Sequence, residues 1–518
     1  MIMSIKNNNF YITTPIYYVN DKPHIGHAYT TILADVISNY NRLLDNSTFF
    51  LTGTDEHGQK VEQAAQKNNI SPQEQCDQTV VRFQELWEKL EISNNDFIRT
   101  TEERHKSVVK EVLQDLFERD EIYKGEYKGW YCVSSERFLT EKDLTDKSSP
   151  DYGRPVESII ESNYFFRMSK YQDWLIKYIE DNPGFIQPDF RANETLGFLK
   201  NKKLQDLCIS RPKSRLKWGI ELPFDQEFVT YVWFDALINY ISGVGYKSDE
   251  EKFNILWPCS CHLIGKDILT THTVYWPIML KSMGLELPKC IFAHGWWLTG
   301  KTKMSKSLGN VVNPMDMIEK YGVDSFRYFL LSEMTLGHDA SFTEEAFIRK
   351  YNADLANDLG NLVNRVLNMI NRYCDGKIPK SCDLKSNEDE LWNSVQISIS
   401  TMIKSIKSLE LNQGIDSVMK SIRMLNRYLE IKAPWTSFKE KRDIDTHTTL
   451  YTSAECLRVF AVLLYPIMPK KMEKIREALG DNKNNLDLNT LGNFGQLLPE
   501  SDIFQPDVLF PRIESDSK

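Results

Sequence analysis

Apolar and polar positions in this chain follow two registers, an early one suited to a layered sheet and a later one suited to packed helices. Phe10 to Tyr18 (FYITTPIYY) is rich in β-branched and aromatic residues and predicts a buried strand. Ala28 to Leu44 keeps helical spacing through Ile32, Val36, Tyr40 and Leu43. Thr48 to Thr54 predicts a second short strand, and Ser71 to about Ile122 reads as helical, with Pro72 just inside a Ser71 cap. Strand, helix, strand in this order opens a doubly wound, Rossmann-like parallel sheet.

From Tyr123 to Asp225 the texture changes to dense aromatics, prolines and turn residues, as in an inserted β-rich module. Phe228 to Phe234 (FVTYVWF) and Cys261 to Ile264 (CHLI) predict that buried strands of the sheet resume. Beyond Tyr321 the pattern is helical almost throughout. Leu355, Leu359, Leu362, Val366, Leu367 and Ile370 share one face, and amphipathic segments follow over Leu391–Leu411, Ile415–Leu429 and Thr449–Leu464. The expected fold class is therefore α/β with an insertion, followed by an all-α helical bundle.

Composition narrows the setting. At 518 residues the chain exceeds what one core holds, so about three domains are expected. Its 41% hydrophobic and 26% charged content is that of an ordinary globular protein, and no apolar run approaches the roughly 18 residues of a membrane span. Met1 to Asn9 is short and polar, without the apolar stretch of a secretory signal, so a cytoplasmic protein that does not engage membranes is expected. The nine cysteines are scattered, only Cys259 and Cys261 lying close together, and read as reduced thiols. A net charge of −9 argues against a surface coated in nucleic acid but leaves room for a local basic groove.

Two motifs could carry chemistry. His24-Ile25-Gly26-His27 falls between the first strand and the first helix. Helix N-terminal N–H groups favour an anion, Gly26 lets a bulky group approach the backbone, and two imidazoles can donate to phosphate oxygens. Alone, the motif is also what a chance turn with two surface histidines looks like. Lys303-Met304-Ser305-Lys306-Ser307, bordered by Gly300 and Gly309, describes a loop that brings positive charge to a polyphosphate. Adenylyl transfer needs such charge on the leaving pyrophosphate. Alone, it also reads as a solvated basic loop.

Together, HIGH near the first strand and KMSKS about 280 residues later resemble the paired signatures of class I aminoacyl-tRNA synthetases. TTPIYYVNDKPHIGHAYTT, TGTDEHGQK, YVWFDALINY, LIGKDILTTH and AHGWWLTGKTKMSKS look like blocks of the methionyl family, and the resemblance runs from Phe10 to about Ile513. It implies ATP- and Mg²⁺-dependent activation of L-methionine to the adenylate, then transfer to the 3′-terminal adenosine of tRNA(Met). His24, Gly26, His27, Lys303 and Lys306 would carry the catalysis. Asp235, Gly265, Lys266, Asp267, Met304 and Ser305 would complete the ATP site. Ile16, Tyr18, Trp233, Ala236, Leu237, Tyr240, Ile268, His272 and Trp276 would form the methionine pocket, Tyr18 and His272 offering polar contacts to the thioether. Asp55 would bind the α-ammonium, with Arg211 as its orienting partner. An apolar pocket separates near-isosteres by only about 1–3 kcal/mol, so discrimination against homocysteine is expected to be imperfect.

The same resemblance sets the expected divisions. Residues 1–122 and 226–320 are the two halves of the catalytic domain, 123–225 the connective insertion, 300–350 the KMSKS loop and stem-contact region, and 351–518 the anticodon-binding domain. Relatives with one zinc knuckle carry two ligand pairs in the insertion. Here the positions read Cys132-Val-Ser-Ser135 and Ser149-Pro-Asp-Tyr152, and Ser and Tyr are poor zinc ligands, so no metal site is expected. Asn361 and Arg365 share a helix face, and Ala433-Pro434-Trp435 offers a ring on a proline-fixed bend; by the resemblance they read the CAU anticodon. The chain ends soon after LFPRIE, short of the dimerising domain of many relatives, so a monomer is expected.

Three other readings compete. Aliphatic class I synthetases need a larger inserted editing domain, and the cysteinyl enzyme needs a zinc thiolate site. A small HxGH nucleotidyltransferase leaves the helical domain unexplained. An inactive RNA-binding paralogue sits poorly with intact HIGH and KMSKS.

Overall fold

The computed structural model describes residues 9–19, 22–132, 137–139, 156–299, 302–303, 312–380, 386–481 and 486–514. Seven strands form the main sheet: β1 (Asn9–Thr13), β2 (Tyr17–Tyr18), β3 (Ser47–Asp55), β4 (Asp96–Arg99), β5 (Ile186–Gln187), β6 (Cys261–Gly265) and β7 (Ile291–His294). All pair in parallel, in the order β4-β3-β1-β6-β7-β5, while β2 continues β1 along the end of β3. Ile12, Phe50, Leu51, Ile98, Leu263, Ile264, Ile291 and Ala293 are buried, as expected of strands covered on both faces. Helices α1 (Ile25–Leu43), α2 (Gln59–Asn68), α3 (Pro72–Lys89) and α4 (Glu103–Glu118) supply the crossovers. Strand order reverses between β1 and β6, and the crevice at such a switch point is where α/β sheets bind ligands.

Three expectations are corrected. The stretch from Ser71 to Ile122 is not helical throughout, because β4 runs between α3 and α4. That strand pairs with β3 so closely that a Cβ at Gly53 would stand 2.0 Å from the Ile98 carbonyl oxygen. The insertion does hold an antiparallel sheet, built from Ile122–Cys132, Arg137–Leu139, Glu157–Phe166 and Leu207–Cys208, but also helices Gln172–Asp181 and Asp189–Asn201. Between those helices β5 already rejoins the main sheet, well before position 226. FVTYVWF is not one strand of that sheet. Asp225–Thr230 pairs antiparallel with Ser210–Pro212 and Glu221–Leu222, and helix α5 (Val232–Leu237) follows. A short apolar run does not by itself separate strand from buried helix.

After β7 comes a small sheet of Trp297–Thr299, Thr302–Lys303 and Ala340–Ser341. Helices α6 (Val323–Glu333), α7 (Asn361–Tyr373), α8 (Ser386–Ser408), α9 (Leu411–Lys432), α10 (Pro434–Lys439) and α11 (Asp443–Leu464) follow. Their core is continuous with that of α1, and Tyr40 Oη donates to the Leu463 carbonyl at 2.6 Å. Arg327 on α6 fixes the junction. It donates to Asp35 Oδ2 on α1 at 2.6 Å, to the Leu90 carbonyl at 2.8 Å, and to those of Pro466 and Ile467 at 2.8 and 3.0 Å.

Candidate active site

The HIGH turn begins α1, whose first N–H groups have no partner within the helix. His24 is the N-cap, in extended conformation at φ −128° and ψ 175°. Its Nδ1 accepts the Gly26 N–H at 3.1 Å, while His27 Nδ1 accepts the His24 N–H at 3.3 Å. The two rings stack at 3.8 Å. This is a capping box made of imidazoles, and it fixes the tautomer. A neutral ring that accepts at Nδ1 carries its proton on Nε2, so each histidine keeps a donor beyond the cap. A Cβ at Gly26 would stand 3.0 Å from the His24 ring, so any larger residue there presses on the cap. Behind His27, Tyr17 lies 4.9 Å away and packs on Phe83 and Trp87.

A cavity of about 310 Å³ opens beside this turn, over the C-terminal ends of β1, β2, β3, β6 and β7. Its lining includes Ile16, Tyr18, Asp55, Trp233, Ala236, Leu237, Tyr240, Ile268 and His272, together with His24, Gly26, His27, Gly265 and Asp267. Residues from five separate stretches thus meet in one space. His272 stands on a π-helical turn, Thr271–Tyr275, a widening common at functional sites. Its Nδ1–H donates to the Ile268 carbonyl at 3.0 Å, so Nε2 accepts from Tyr240 Oη at 2.7 Å. Burial lowers the His272 pKa to about 4, which keeps the ring neutral. Tyr18 Oη donates to the His57 carbonyl at 2.9 Å. The polar atoms of Tyr18 and His272 are therefore already engaged within the protein.

Other expected residues lie outside the cavity wall. Trp276 is fully buried behind it, donating to His262 Nε2 at 3.1 Å with its ring 5.8 Å from that of Tyr240. Arg211 is buried against the Tyr231 ring at 4.5 Å and lines a small adjoining cleft with Gly58 and Gln59. Lys266 pairs with Asp339 at 2.7 Å over the Trp296 ring. Asp235, expected to reach a ribose, is wholly buried and bonded to His57 and His105 at 2.6 and 2.7 Å, so that role finds no support. Burial alone would raise its pKa, but the two imidazoles hold it at about 2. Met304, Ser305 and Lys306, and Ser135, Ser149 and Tyr152 of the lost knuckle, lie outside the described residues, as do the side chains of Lys303 and Cys132.

Several wall residues escaped the sequence reading: Tyr17, Tyr29, Thr30, Asn239, and the run His294-Gly295-Trp296-Trp297. That run closes a strand with a glycine and two tryptophans, a signal strong enough to have singled it out. His294 ties the end of β7 to α1, its Nε2 lying 2.7 Å from Thr30 Oγ1 while Nδ1 donates to the Gly295 carbonyl at 2.7 Å. Gly295 admits no side chain, since a Cβ would stand 2.0 Å from the His338 carbonyl oxygen.

In the helical domain, Asn361 and Arg365 lie on the first turns of α7, Asn361 exposed and Arg365 paired with Glu430 at 2.6 Å. Ala433 turns the chain at φ 43° and ψ 61°, Pro434 starts α10, and Trp435 is half-buried beyond it.

Comparison with known proteins agrees with this layout. The pattern for tRNA synthetases class I (M) matches residues 10–154 and 142–367, and that for the anticodon binding domain of methionyl tRNA ligase matches 378–518. A methionine–tRNA ligase of Bacillus subtilis is 44% identical, the match covering 100% of this chain and 80% of that one. One of Clostridium acetobutylicum is 45% identical over 99% of this chain and 79% of its own length. The Mycobacterium tuberculosis methionyl-tRNA synthetase in complex with methionyl-adenylate superposes at a TM-score of 0.94 with 38% identity, covering 98% of this chain and 100% of that one. Its apo form superposes at 0.87 with 35% identity, covering 98% and 99%. The chain belongs to the methionyl-tRNA synthetases of class I.

Proposed function

We propose that the cavity holds the two substrates of one adenylation step, methionine against Tyr240 and His272 and ATP against the HIGH turn. The observation that carries the assignment is the single space joining an imidazole-capped helix N-terminus to an aromatic and aliphatic wall with Asp55 at its edge. Methionine's side chain lies among Ile16, Tyr18, Trp233, Ala236, Leu237, Tyr240, Ile268 and His272, with Trp276 supporting from behind. Asp55, 3% exposed, faces the α-ammonium, and Arg211 lies behind the turn that follows it. The methionine carboxylate then attacks the α-phosphorus of ATP.

His24 and His27 donate from Nε2 as negative charge builds on phosphate oxygens, within the field of the α1 N-terminus. Gly265, Lys266 and Asp267 take the nucleotide side, Lys266 leaving Asp339 to do so. Lys303, Met304, Ser305 and Lys306 steady the departing pyrophosphate. Catalysis is positioning and charge stabilisation, without a covalent intermediate. Among the described residues no group of three or more His, Cys, Asp or Glu side chains is arranged to hold a metal ion; Mg²⁺ would be held by the ATP phosphate oxygens.

The chain is a methionine–tRNA ligase with an anticodon-binding domain. We further assign reading of CAU to Asn361, Arg365 and Trp435, and a zinc-free fold to the insertion on its four sequence positions. No described helix is long and apolar enough to cross a membrane. The cytoplasm, where tRNA is charged, is the compartment this function implies. Pyrophosphate exchange with each amino acid in turn is the test. Exchange with methionine alone supports the reading, and exchange with another amino acid overturns the pocket while leaving the class intact.

A further inference from the structure

Asp235 follows Trp233 by two residues and precedes Ala236, both in the cavity wall, yet it forms no part of that wall itself. Its Oδ2 accepts from His57 Nδ1 at 2.6 Å and its Oδ1 from His105 Nε2 at 2.7 Å. His105 Nδ1 meets Ser242 Oγ at 2.8 Å, which anchors the far end of the network. His57 comes two residues after Asp55, and its carbonyl holds Tyr18 Oη at 2.9 Å. One carboxylate thus joins the turn after β3, the first turn of α4 and helix α5, with both oxygens occupied by N–H donors. Charge-assisted bonds of this kind are short and directional, and they fix the groups that make them.

We infer that Asp235 is a positioning residue for methionine: it holds His57, and through it the turn carrying Asp55 and the phenol of Tyr18, in the geometry that receives the substrate. It does not touch the nucleotide. The inference rests on the reading of this part of the cavity as the methionine site.

Pyrophosphate exchange tests it, with KM for methionine and for ATP measured separately and tryptophan fluorescence reporting methionine binding. Asp235→Asn raises KM for methionine about tenfold or more and leaves KM for ATP within about twofold. His57→Ala does the same. His57→Asn, whose amide N–H stands where imidazole Nδ1 does, restores a value near that of the unaltered protein. A purely structural defect would move both KM values, or kcat alone, and would not be rescued. If Asp235→Asn fails to accumulate as folded protein, the two His57 variants decide the question. A rise confined to ATP, or equal KM values for methionine throughout, overturns the inference. Absence of methionine-dependent exchange in the unaltered protein overturns the site reading beneath it, a distinct outcome.

Discussion

His272 has its pKa pushed down to about 4 by burial, against an ordinary value of 6.5. Between those pH values the unfolded chain takes up a proton that the folded site refuses. Stability therefore falls as pH drops from 6.5 towards 4, by an amount on the order of 3 kcal/mol for this ring alone. His262 and His294, also lowered by burial, add to the same slope. Thermal unfolding across this range should decline less steeply in His272→Gln, and an equal slope would count against the assignment. Gly26→Ala is expected to lower exchange by about 10²-fold while barely moving the melting temperature, because the added methyl displaces His24 from its cap. Of the cavity lining, Ile16, Tyr18, Trp233 and Tyr240 were legible from the signature blocks, while Tyr17, Tyr29, Thr30, Asn239 and His294 on the same blocks were not singled out, because a block names neighbours in sequence and not which of them face a cavity. The contacts of Asp235 were not, because His57 and His105 come from separate stretches and only folding brings them to one carboxylate.

At the scale of elements, α1 carries the HIGH turn at its start and a buried ion pair in its middle. Asp35 accepts from Arg327, from Ser93 N–H and Oγ at 2.7 and 2.6 Å, and from Asn39 at 3.1 Å. Arg327→Met leaves that carboxylate buried without its cation and removes donors from three carbonyls. The expected cost is about 3–5 kcal/mol, read as a lowered urea midpoint, and a change under about 1 kcal/mol would show that α1 and the helical domain do not depend on the junction. The sheet and bundle were readable because strand composition and helical spacing run for many residues. The four residues of β4 were not, since only Phe97 and Ile98 mark them between two long helices. The place of β5 depends on a partner about a hundred residues away, to which no local pattern points.

Over the whole molecule, the proposed adenylation residues and the proposed anticodon readers belong to different elements and share no cavity, so the two activities should be separable. Trp435→Ala removes a stacking face worth about 1–3 kcal/mol and is expected to raise KM for tRNA roughly 5- to 150-fold, with methionine-dependent exchange unchanged. Loss of exchange in that variant would place Trp435 in the fold and not at the anticodon. A zinc-selective chelator, with Mg²⁺ in excess, should leave exchange undiminished, and inhibition would reveal ligands for Cys132 beyond its sequence neighbours.

The parallel sheet also sets a timetable for synthesis. β1 pairs on one side with β3, but its other edge waits for β6, with Ile12 opposite Cys261. At roughly 5–20 residues per second, a ribosome needs about 12–50 seconds to deliver that partner. During this interval a strand rich in aromatic and β-branched residues keeps one open, apolar edge, the kind that seeks any strand within reach. A nascent chain of this design calls for shielding as it emerges, and ribosome-bound intermediates shorter than about 265 residues should be the ones that chaperones hold longest.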